Sequence, residues 1–267
     1  MPKRLADEWK NKLLKEISEL GKRYDTAKVF NDFITMVAIG ISNAVTRMHF
    51  ESREKDYFNT IKRYSAADQP KFREMNDYLV TALECSAHDY RDILGEICFE
   101  LSLTNKDMAQ DFSPRGVGLV MAGIGKPTFV NAIEKSGFLR LYEPTVGSGS
   151  IALAQADALY SCGYNPSKQL CVNATDLAFK CVCMTYIQLS YYGIPAVVIH
   201  GDTLMVKEFS RWYTPVYVID GWIWRCKGGL TNGYSSDDEM LKCMLDPQYA
   251  KYRSIMNFLG KAENTAK

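Results

Sequence analysis

The stretch that most constrains the fold is residues 137–160, GFLRLYEPTVGSGSIALAQADALY. Phe138 to Tyr142 is an apolar run with β-formers and one Arg, which predicts a mostly buried strand. Glu143 to Ser150 then turns the chain, and the Ala- and Leu-rich Ile151 to Leu159 predicts a helix. Gly147 and Gly149 lack a Cβ, so backbone N–H groups can approach a ligand closely. Ser148 and Ser150 are candidate helix caps. The open N–H groups and positive end of the helix favour a negative ligand group.

Three ligands can be weighed for this turn. The triphosphate pattern Gly-x-x-x-x-Gly-Lys-Ser/Thr does not occur there, which disfavours a nucleoside triphosphate. The strict dinucleotide pattern Gly-x-Gly-x-x-Gly is also missing, although Ala152 at its third glycine is a tolerated variant. The third ligand, S-adenosylmethionine, suits an acid followed by Gly-x-Gly. Its carboxylate meets backbone N–H groups, and its ammonium and sulfonium sit well near Glu143. A turn that binds nothing is the structural alternative.

Two further acids follow at expected strand ends. Gln169 to Ala174 reads as a second strand ending at Thr175-Asp176, where Asp176 is placed to accept from both hydroxyls of a ribose. Asp176 can equally cap the helix expected over Leu177 to Tyr192. Ala196 to His200 reads as a third strand, and Asp202 after it can accept from an adenine amino group. His200 reads as a strand residue. Three acids at three successive strand ends make a stronger signal than any one. A fourth strand is expected at Val216 to Ile219, followed by Asp220-Gly221-Trp222. Trp222 and Trp224 are either core or the lining of a pocket for a planar group.

The first 105 residues read as helical. Trp9, Leu13, Leu14, Ile17 and Leu20 mark an amphipathic helix, and Phe30 to Met48 a more apolar, buried one. Asp68-Gln69-Pro70 reads as a helix start with Asp as cap. The Lys and Arg residues of this half alternate with acids, as on a solvated helix face. The organisation expected is a helical N-terminal domain over 1–105 and an α/β core over 106–267. In the join, Phe112 is either a stacking aromatic or a staple for a short helix from Gly116 to Ile124.

Composition narrows the class. The chain has 267 residues, 47% of them apolar and 24% charged, with a formal net charge of +1. That balance speaks against a strongly basic nucleic-acid grip along the whole chain. Eight Cys occur without a Cys-x-x-Cys pair, and none of the three His pairs with acid or Cys at metal spacing, so no metal is expected. No signal peptide and no run long enough for a bilayer are read, so the expectation is a cytoplasmic protein with reduced thiols and no membrane partner.

The motif succession resembles the modification subunits of type I restriction systems and related N6-adenine DNA methyltransferases. The residues that carry it are Asp92-Ile93-Leu94-Gly95, Phe112-Ser113-Pro114, Glu143 to Ser150, Asp176, and Gly201-Asp202-Thr203-Leu204. The resemblance implies a Rossmann-like class I methyltransferase core that binds S-adenosylmethionine. Phe112, Thr145, Gly147 and Gly149 would contact its methionine part, Asp176 the ribose and Asp202 the adenine. Ser113, Pro114, Ser148, Ser150, Leu177, Thr203 and Leu204 belong to the same cofactor motifs. The family's Asn/Asp-Pro-Pro-aromatic tetrapeptide, which holds a flipped adenine, does not occur in the sequence; Asp220-Gly221-Trp222-Ile223 stands in its place, 18 residues after Asp202. By that analogy Asp220 orients the amine and Trp222 or Trp224 stacks on the base. The 43 residues after Trp224 are fewer than the family's remaining strands and target-recognition domain occupy, so a truncated core is expected. Two functions follow: methyl transfer to adenine in DNA, with a separate specificity subunit, or a non-catalytic relative that binds the cofactor or a protein partner in a restriction or mobile-element setting. Methylation of RNA or protein is a third.

Overall fold

The structure is a computed structural model, and it describes residues 2–103 and 115–226. Five helices come first: α1 (Pro2–Tyr24), α2 (Thr26–Val45), α3 (Phe50–Ile61), α4 (Gln69–Glu84) and α5 (Ile93–Glu100). α6 (Arg115–Ser136) then leads into β1 (Leu139–Glu143), α7 (Ser150–Ser161), α8 (Pro166–Gln169), β2 (Leu170–Asp176), α9 (Phe179–Tyr191), β3 (Ala196–Asp202) and β4 (Lys207–Tyr213). Two short helices follow, α10 (Pro215–Ile219) and α11 (Trp222–Arg225). The chain is α/β with a four-stranded mixed sheet in the order β1-β2-β3-β4. The first three strands are parallel, and β4 runs antiparallel to β3.

The two central strands of the sheet are covered on both faces, and their two-residue period shows how. Leu170, Val172 and Ala174 of β2, with Ala196 and Val198 of β3, face a large core shared with α1, α2, α4, α5, α7 and α9. Cys171, Val197 and Ile199 face the other way, into a smaller core with Phe138, Tyr213, Tyr217 and Trp222. Burial on both faces accounts for the near-continuous apolar runs of β2 and β3. The helical first hundred residues therefore share one core with the sheet.

Three expectations are corrected. Val216 to Ile219 is not a strand but lies in α10, because Pro215 has no N–H for a ladder and suits a helix's first turn. The fourth strand is instead β4, reached from β3 through a short connection over 203–206. Asp68 precedes α4 as expected, yet its side chain makes no cap; its carboxylate accepts from Arg23, Tyr24 and Ser65. The short helix expected from Gly116 to Ile124 runs on to Ser136, with Pro127 inside it, since Phe129 and Ile133 seat its second half in the core. Its stretch Gly116–Ser136 is long and apolar enough, by length and composition, to cross a membrane, where the sequence reading allowed no such run; helices in soluble cores pass the same test.

Trp222 is a core residue. It is fully buried, edge-on to Phe138 at 5.1 Å, with the Arg225 guanidinium 3.8 Å from its ring centre. Trp222→Ala should cost about 3–5 kcal/mol, as truncation of a buried aromatic does, read as a lower midpoint in urea denaturation at unchanged slope.

Candidate functional site

The carboxyl ends of β1, β2 and β3 lie side by side, so the three expected acids share one end of the sheet. In register, Glu143 lies opposite Ala174 and Asp176 opposite His200. The turn between β1 and α7 is built on left-handed glycines, Gly147 at φ 59° and Gly149 at φ 97°. A side chain at Gly149 would be strained by φ alone, and its Cβ would come 3.2 Å from Thr185 Oγ1. Val146 N–H donates to Thr175 C=O at 3.0 Å, which docks the turn on the end of β2.

Asp176 is partly committed to this turn. One oxygen accepts from Gly147 N–H at 2.9 Å and the other from Ala178 N–H at 2.8 Å, so the residue both braces the turn and orders the entry to α9. Burial raises its pKa against the pull of those hydrogen bonds. Glu143 is raised too, first by burial and further by the nearby Asp176 charge, while Thr145 N–H works against the rise. Two carboxylates held close and poorly solvated favour a cationic or hydroxyl-rich partner between them. Asp202 folds back on its own loop, accepting from Leu204 and Met205 N–H at 2.9 Å each. Thr203 Oγ1 donates to Pro144 C=O at 2.7 Å, tying the end of β3 to the turn. His200 Nε2 lies 3.2 Å from Leu177 C=O and donates to it. Leu177 and Leu204 are exposed at the rim.

Ser148 takes different work from that expected, and Ser150 is the first residue of α7 rather than its cap. α7 has Gly149 at its N-cap and no side-chain cap. Ser148 Oγ instead donates to Asp92, which also accepts from Gly95 N–H at 2.8 Å and Gln188 Nε2 at 2.8 Å. Gln188 reaches Ser148 C=O at 2.9 Å and accepts from Leu94 N–H at 3.1 Å. Asp92 and Gln188 thus join α5, the turn and α9. The residue Asp92 keeps some exposed surface, yet desolvation is the largest influence on its carboxyl and raises its pKa. Asp92 is the N-cap of α5; nothing in the sequence singled out that role or Gln188.

Asp220 and Trp222 do not join the acids. The chain leaving β4 returns to the start of β3, where Thr214 Oγ1 accepts from Ala196 N–H at 2.8 Å. Asp220 then pairs with Lys168 at 2.7 Å, just before β2 begins. Both lie at the amino ends of the parallel strands, about 20 Å from Asp176 at the strand rise per residue. The expected catalytic pairing of Asp220 and Trp222 with the cofactor motifs is corrected on that ground. Ser113 and Pro114 of the Phe112 motif lie, with Phe112 itself, outside the described residues. Among the described residues no group of three or more His, Cys, Asp or Glu is placed to hold a metal ion.

Comparison with protein-family models, with curated proteins and with solved structures finds no match.

Asp92→Ala should strand donors from Ser148, Gln188 and Gly95 at once and cost about 2–4 kcal/mol. Asp92→Asn keeps acceptor capacity and should cost less; chemical denaturation of both variants checks the order.

Proposed function

We propose that this chain is an S-adenosylmethionine-binding relative of the N6-adenine DNA methyltransferases, with a Rossmann-like core, acting as a binding or regulatory protein rather than as the transferase. The observation that carries the cofactor reading is the pairing of Glu143 and Asp176 around the Gly147–Gly149 turn, at the carboxyl ends of adjacent parallel strands. Ligands of open α/β sheets bind at that end. The donor set fits the group. Two desolvated acids suit its ammonium, its sulfonium and its ribose hydroxyls, and the start of α7 suits its carboxylate. Bound there, the cofactor would supply an electrophilic methyl group. Asp176 would trade part of its bracing role for the ribose, and Thr203 would hold the rim closed against Pro144.

The non-catalytic reading is favoured by the place of Asp220 and Trp222. A base held by them would sit at the wrong end of the sheet for a methyl group beside Glu143. In-line transfer tolerates no such separation. A protein partner, such as a specificity subunit, or DNA brought by that partner, is the context in which binding without transfer is useful. The site and its partner belong to the cytoplasm on this reading.

Calorimetric titration with S-adenosylmethionine should show saturable binding, weakened about 10- to 100-fold by Asp176→Ala. Asp220→Ala should leave the affinity unchanged. A wild type that does not bind, or an Asp176→Ala variant that binds equally well, overturns the proposal. Affinity should also fall as the pH is lowered through the raised carboxyl values of Glu143 and Asp176, because their neutral forms no longer attract a cation. Protonation of nearby His200 acts in the same direction. Binding should therefore release protons, seen as heats that depend on the ionisation enthalpy of the buffer.

A further inference from the structure

A cavity lies in the helical layer, away from the acid-bearing strand ends. Its volume is about 590 Å³, within the range of small-molecule sites. The floor is a stripe of α2, made by Phe33, Met36, Val37 and Ile41, with Gly40 between them. Their spacing of three and four residues puts them on one face. Tyr57 and Phe58 of α3 form one wall, and Phe58 is half-exposed at the mouth.

The other wall is chemically different. Gln69, Arg73 and Asn76 of α4 stand at i, i+4 and i+7, so three polar heads line one side. Among the described residues Arg73 is the only charged group lining the cavity, and no acid lines it. Its guanidinium has no ion-pair partner among those residues. Asn76 Oδ1 accepts from Tyr191 Oη at 3.4 Å, which leaves the amide N–H₂ to donate. The wall thus offers donors and a positive charge above an apolar bed.

The geometry points to a binding site for an amphiphilic small molecule with an anionic head, such as a medium-chain carboxylate, its chain lying along α2 and its head on Arg73 and Asn76. Gly40 lines the cavity at an exposed position, and a Cβ added to it would meet no atom within 4 Å. A side chain there enters the cavity without displacing protein, and replacing glycine inside a helix favours folding. This inference stands apart from the cofactor reading.

The test uses the full chain and the fluorescence of 8-anilinonaphthalene-1-sulfonate, displaced by decanoate or by decanol. Decanoate should displace the probe saturably from the wild type. Gly40→Leu should abolish that displacement while keeping the wild-type circular dichroism spectrum and melting midpoint or raising it. Arg73→Ala should weaken decanoate about fivefold, as an exposed ion pair allows, and leave decanol unchanged. Absence of saturable displacement from the wild type overturns the site, as does a Gly40→Leu variant that binds decanoate like the wild type. Equal loss of decanoate and decanol on Arg73→Ala overturns the anionic head.

Discussion

The enclosed carboxylate of Asp92 is the point on which the layers of this protein meet. It accepts at once from the first turn of α5, from Ser148 in the glycine turn and from Gln188 of α9. A desolvated carboxylate is unfavourable alone, and only a near-complete set of donors makes it acceptable in such a place. Each donor comes from a different element, so the cost of burying the acid is met only when all three are in position. The helical layer and the strand-end turn are thereby held to one geometry. Arg53 makes a similar clasp on the far side, donating to Ser42 and to Arg211 C=O at 2.8 Å while stacking on Trp212 at 3.7 Å.

The two ends of the sheet have different characters. At the carboxyl ends the chain turns through glycines and gathers acids whose burial disfavours their charge. At the amino ends it gathers Asn165, Lys168, Asp220 and the two short helices, fixed by Thr214 and by the stacked Trp222 and Arg225. Acid and aromatic residues occur at both ends, but at the carboxyl ends burial raises the pKa of Glu143 and Asp176, whereas Asp220 at the other end is paired with Lys168. Ligand chemistry follows from that asymmetry rather than from residue type. The helical cavity repeats the logic with the opposite sign, since it holds a cation and no acid.

Much of this was legible in the chain, and the exceptions have physical causes. Strands β2 and β3 announce themselves as apolar runs ending in an acid, because strands covered on both faces need apolar residues throughout, whereas β1, expected to be mostly buried, lies at the sheet edge and alternates half-buried with exposed residues. α1 and α4 are plain from their spacing and from Pro70. Val216 and Val218 looked like a strand because β-branched residues favour one, yet Pro215 and the packing of Tyr217 and Trp222 override that preference. β4 was missed because its exposed half carries Lys207, Glu208 and Phe209 in no clean alternation. The acids at the site could be found from strand ends alone. The Asp220 assignment failed because sequence distance from Asp202 says nothing of direction: the hairpin reverses the chain and carries it to the other end of the sheet.

That hairpin has a consequence for how the sheet is assembled. β3 and β4 are joined by the four residues 203–206, whereas each parallel pairing waits for a crossover through a helix. A loop this short closes in well under a microsecond, and a hairpin forms in about 1–10 μs. The antiparallel ribbon can therefore exist before β1 or β2 has found its place, offering the inner edge of β3 as a template. The acid-bearing turn at β1, farthest from the ribbon in the strand order, would be the last part of the sheet to gain its neighbours.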